Sequence, residues 1–73
     1  MDPHIVEDTL KMHIGEMRKR LERSAGIVKA AETCAEGGNL EKAIEIALDI
    51  EPLIYEVSTL LNAASLMHRL KRP

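Results

Sequence analysis

Apolar residues recur along this chain at alternating steps of four and three, a rhythm that leaves room for little except paired helices. In the first half they fall at Leu10, Ile14, Met17, Leu21, Ser24, Val28, Ala31 and Ala35, with Ser24 the one polar member. In the second half they fall at Ala43, Ile46, Ile50, Leu53, Val57, Leu60, Ala64 and Met67. A seam that repeats every seven residues keeps one face of a helix turned toward a partner helix. Ile5, Val6, Ala25 and Ile27 widen the first stripe. No stretch alternates with the period of two that a half-buried strand requires.

Gly37-Gly38-Asn39 stands between the two seams. Glycine accepts the left-handed backbone that ends a helix, and asparagine caps the start of the next. Glu41 then places a negative charge in the first turn, where the helix dipole favours it. At the other end of the first arm Asp2 is the expected N-cap and Pro3 the first helical residue, followed by the early charges of Glu7 and Asp8. The spacing predicts one domain over residues 1–73, with a helix over 3–36, a turn at 37–39 and a helix over about 40–70. Gly15 and Gly26 each weaken the first helix by about 1 kcal/mol relative to alanine. Gly26, beside Ser24 and Ala25, is the expected place for a bend.

Pro52 interrupts the second arm, since it removes a backbone donor and crowds the preceding turn. Either Asp49 caps a new helix, or one helix continues with a kink near 52. The heptad phase crosses Pro52 without a slip, which favours the kink. Two arms of nearly equal length and a tight turn predict an antiparallel hairpin, each arm about 50 Å long.

The second arm carries more apolar surface than one partner helix can cover: Leu40, Ile44, Ala47, Leu48, Ile54, Leu61 and Leu66 lie outside its seam. A surface helix in a two-helix monomer is polar there. The expected fold class is therefore all-α, a long antiparallel hairpin dimerising into a four-helix bundle. Ile44, Leu48, Ile54 and Leu61 are the expected interaction residues. A different protein partner would satisfy the same surface.

The chemistry-bearing residues are few and scattered. Tyr55 is the only aromatic residue in a chain of 73, so an enclosed ligand pocket is not expected. Cys34 has Glu32 and Glu36 as neighbours, which oppose the thiolate a nucleophile needs. Ser24, Ser58 and Ser65 lack a glycine elbow or a nearby base, and Gly37-Gly38 lacks the strand, spacing and lysine of a phosphate loop. His4 with Glu7, and His13 with Glu16, each share a helix face at a spacing of three. Both pairs sit on the first arm, and their order is the reverse of the Glu-x-x-His used by di-iron bundles. No enzyme activity, cofactor or metal is expected; a metal-binding bundle is the least favoured alternative.

Arg18, Lys19, Arg20 and Arg23 form the densest basic run, and His68-Arg69-Leu70-Lys71-Arg72 closes the chain. Such clusters can hold phosphates, which makes a nucleic-acid-binding dimer the second functional expectation. Against it, Glu16–Arg20 and Arg18–Glu22 are ordinary four-apart helix pairs. The terminal cluster complements the negative end of its own helix. Net charge is −2, and no aromatic residues interleave to stack on bases.

Gly38-Asn39-Leu40-Glu41-Lys42-Ala43-Ile44-Glu45 resembles the turn and second-helix start of a tetratricopeptide repeat. The repeat's aromatic positions are missing, Pro52 comes too early, and no second repeat follows, whereas arrays need about three. The likeness is one of helix-start chemistry, and no family is assigned from it. The N-terminus lacks a secretory pattern, no apolar run spans a bilayer, and a lone cysteine suits a reducing compartment, so a cytoplasmic protein without membrane association is expected. Its expected role is a non-catalytic protein–protein interaction module, such as a small regulator, adaptor or chaperone-like subunit.

Overall fold

The computed structural model describes residues 2–71. Helix α1 runs over Pro3–Glu36 without interruption through Gly15 and Gly26. Its first turn is held by Asp2, whose carboxylate accepts the backbone N–H of His4 at 2.8 Å, with Pro3 in first place. An orphan donor is thereby satisfied, and proline sits where its missing N–H costs nothing.

The helix closes on a Schellman turn. The N–H of Asn39 donates to the carbonyl of Cys34 at 2.9 Å, and that of Gly38 to Ala35 at 3.0 Å. Gly38 takes φ +88° to make both bonds. The Asn39 side chain then accepts from the N–H of Lys42 at 3.1 Å and starts the return arm. Gly38→Ala should therefore destabilise the protein by about 1–2 kcal/mol, because a Cβ penalises this backbone. Gly26→Ala should have the opposite sign. A Cβ there meets nothing within 4 Å, and helix propensity favours alanine by about 1 kcal/mol. Urea melts of the two variants should straddle that of the parent.

The return arm is helical along its length but is not one α-helix. Helix α2 covers Leu40–Ala47, a 3₁₀ turn covers Leu48–Ile50, and helix α3 covers Glu51–Lys71. The cause is Pro52. Its nitrogen cannot donate to the Leu48 carbonyl four residues back, so the N–H of Glu51 donates there instead, three residues on. The backbone stays right-handed at Leu48 and Glu51. The heptad phase survives the tightening, and Asp49 lies inside the 3₁₀ turn.

α1 packs along both α2 and α3 in an antiparallel hairpin. The Cα envelope measures 55 × 14 × 13 Å, and the radius of gyration is 16.8 Å. A compact chain of this length would have a radius near 11 Å, so the hairpin is a rod.

In the return arm the seam is as the spacing predicts. Ala43, Leu53 and Ala64 are buried, and Ile46, Ile50, Val57, Leu60 and Met67 are half-buried. In α1 it is not. Ile14, Leu21 and Val28, expected in the seam, are exposed. The helix turns His13, Arg20, Ile27 and Cys34 inward instead, between Val6, Leu10, Met17, Ser24 and Ala31. The heptad step is kept, but alternate members shift by one residue. This rotation buries Val6 and lets the Arg20 side chain reach Glu56 on α3 at 2.7 Å. It also sets small residues, Ser24 and Ala31, against the facing arm. Ser24 is buried without penalty, since its hydroxyl donates to the Arg20 carbonyl one turn earlier at 2.8 Å.

Candidate interaction surface

The hairpin has two long edges, and they differ in chemistry. One is polar. Arg23 on α1, with Asp49 and Glu56 on the return arm, borders an open groove of about 400 Å³ that Ile27, Leu53, Leu48 and Pro52 complete. Arg23, Asp49 and Glu56 each come just before an inward residue, namely Ser24, Ile50 and Val57.

The other edge is apolar. On α1, Ile14, Leu21 and Val28 each follow an inward residue, namely His13, Arg20 and Ile27. On the return arm Ile54 and Leu61 follow Leu53 and Leu60 in the same way. In two antiparallel helices that share a seam, the residues before it meet along one edge and those after it along the other. Because Arg23 shares its groove with Asp49 and Glu56, the five aliphatic residues occupy the opposite edge together. They are 43–61% exposed. Leu40 extends the row at the turn.

Of the four residues that the sequence singles out, Ile54 and Leu61 lie in this row. Ile44 sits beside it toward the outer face, and Leu48 lines the groove beside Arg23 across the rod. All four are exposed. Ile14, Leu21 and Val28, which spacing alone assigns to the seam, complete the row. The signal that distinguishes them is the width of the α1 stripe, which holds more apolar positions than one facing helix can take.

The basic run is engaged within the fold. Arg18 pairs with Glu22 at 2.8 Å and Lys19 with Glu16 at 3.7 Å. Arg20 bridges Glu16 at 3.2 Å and Glu56 at 2.7 Å. Its hydrogen bond with Glu56 is the largest influence raising the guanidinium pKa above its ordinary value, and desolvation opposes it. Arg23 borders the groove. The Lys71 side chain and Arg72, from the terminal cluster, lie outside the described residues.

Among the described residues no group of three or more His, Cys, Asp or Glu side chains is gathered as a metal site would need. His13 is half-buried, with Nδ1 2.9 Å from the Thr9 carbonyl, which places the proton on that nitrogen. Cys34 is half-buried in the seam. No helix among the described residues is long and apolar enough to cross a membrane. No protein-family model matches the chain, and neither a curated protein nor a solved structure matches it.

Proposed function

We propose, from the geometry of the chain alone, that this protein is a non-catalytic helical interaction module. It self-associates into a four-helix-bundle homodimer through its apolar edge and offers its remaining outer apolar residues, Ile44 and Tyr55 among them, to a protein partner. The observation that carries this is the aliphatic row from both arms on one edge of the rod. Such an edge is where a bundle of four helices places its second contact.

The surface area supports the same reading. The rod exposes 5650 Å², whereas a compact monomer of 8.1 kDa would expose about 4,500 Å². The excess is larger than the roughly 800 Å² that each partner contributes to a standard interface. Among the described residues no large side chain is fully buried. A regulator, an adaptor and a chaperone-like subunit all act by presenting helix faces of this kind.

Sedimentation equilibrium at micromolar concentration should give twice the 8.1 kDa chain mass. Replacing Ile54 and Leu61 together with aspartate should return the monomer mass, because two carboxylates cannot be sealed in an apolar contact without partners. A parent protein that stays monomeric up to hundreds of micromolar would overturn the proposal.

A further inference from the structure

Two hairpins joined along one edge can lie with their turns at the same end or at opposite ends. Resting on the homodimer proposed above, we infer that the second copy packs with its Gly37-Gly38 turn at the opposite end, related by a two-fold axis that crosses the rod near its middle.

Charge along the rod decides this. Toward the turn, over residues 24–52, six carboxylates (Glu32, Glu36, Glu41, Glu45, Asp49 and Glu51) face only Lys29 and Lys42. Toward the open end, residues 2–23 and 53–70 hold six acidic and six basic side chains, and the sequence adds Lys71 and Arg72 after them. A same-end dimer sets one strongly negative turn region against another. An opposite-end dimer sets each against the neutral-to-positive end of its partner. Helices in a bundle lie about 8–10 Å apart, about one screening length of physiological salt, so the difference is reduced there but still felt.

Apart from Glu7, which follows the buried Val6 at the open end, the charged residues that flank the aliphatic row show the same polarity. Lys11 and Arg18, each just after the inward Leu10 and Met17, border it toward the open end. Glu32 and Glu51, just after Ala31 and Ile50, border it toward the turn. The opposite-end arrangement brings the cations of one copy toward the carboxylates of the other on both sides of the axis. Arg18 already pairs with Glu22, but both side chains are more than 60% exposed, and such a surface pair is readily exchanged. A two-fold axis across the rod repeats every favourable contact twice.

The arrangement is tested with a Glu36→Cys, Cys34→Ser variant, which puts one exposed thiol beside the turn of each copy. Spin labels on that thiol should lie about 50 Å apart, as set by the 55 Å rod, and oxidation should give no disulfide-linked dimer. Sedimentation and circular dichroism of the variant should match the parent. A dimer with labels within about 20 Å, or with ready disulfide formation, overturns the orientation and leaves the homodimer standing. A monomeric parent protein removes both. Raising the salt concentration should weaken the opposite-end dimer, whereas a same-end dimer should tighten as its repulsion is screened.

Discussion

Replacing Leu53 with alanine should cost about 3 kcal/mol of stability and lower the thermal midpoint by about 10–20 °C. Among the described residues the buried apolar set is Val6, Ala31, Ala43, Leu53 and Ala64, so Leu53 is its largest member, one methylene larger than Val6. A chain of 73 residues has only about 4–11 kcal/mol of stability in total at typical values per residue. Leu53 also sits where Pro52 has already removed one backbone bond, with its 3₁₀ turn on one side and the Arg23 groove on the other. Because that groove is open, water can enter the space left by the side chain, and the loss falls short of the top of the Leu→Ala range. The matched control is Leu66→Ala. Leu66 is 51% exposed, and its truncation should change stability by no more than about 0.5 kcal/mol. Both are read from urea melts at one fixed protein concentration, because association shifts apparent stability. Equal midpoints for the two variants would mean that Leu53 does not anchor the seam.

The hairpin is legible in the sequence because each local signal agrees with the others. Asp2-Pro3 starts a helix, Gly37-Gly38 ends it, Asn39 starts the next, and every seam residue of the return arm turns inward. The rotation of α1 is less legible. Its apolar residues fill two adjacent stripes, Ile14–Leu21–Val28 and Val6–Ile27, and either could face the return arm by hydrophobicity alone. The choice depends on partners 36 residues away in sequence, of which the Arg20–Glu56 contact is the clearest. A periodicity count cannot weigh such a contact, since arginine reads as surface. The same ambiguity hid half of the apolar edge. Once His13, Arg20 and Ile27 turn inward, the residues that follow them must turn out, and the candidate site extends from one arm to both. At Pro52 the sequence shows that a donor is missing, but the remedy depends on where the freed carbonyl finds its bond. Here the N–H of Glu51 supplies it without a change of phase.

Ala31→Leu should destabilise the hairpin by about 2 kcal/mol, although it adds apolar surface to an apolar seam. Ala31 is 7% exposed and Ala43 6%, and Cys34 and Ala47 are half-buried near them. The arms therefore meet over small side chains beside the turn. The turn itself fixes that spacing, because the two bonds from Gly38 and Asn39 hold the start of the return arm against the end of α1. A leucine at position 31 lies within two helical turns of this clamp and cannot be accommodated by a rigid shift of the whole arm. It must splay the arms locally or adopt a strained rotamer. Splaying also distorts the apolar edge at its turn end, so association of the variant should weaken together with its folding. Ala30→Leu is the control: Ala30 is exposed on the same helix, and leucine there should change stability by no more than about 0.5 kcal/mol. Urea melts and sedimentation of the two variants separate the outcomes. If Ala31→Leu matches Ala30→Leu in both, the arms are not in close contact beside the turn, and the clamp does not set the geometry of the edge.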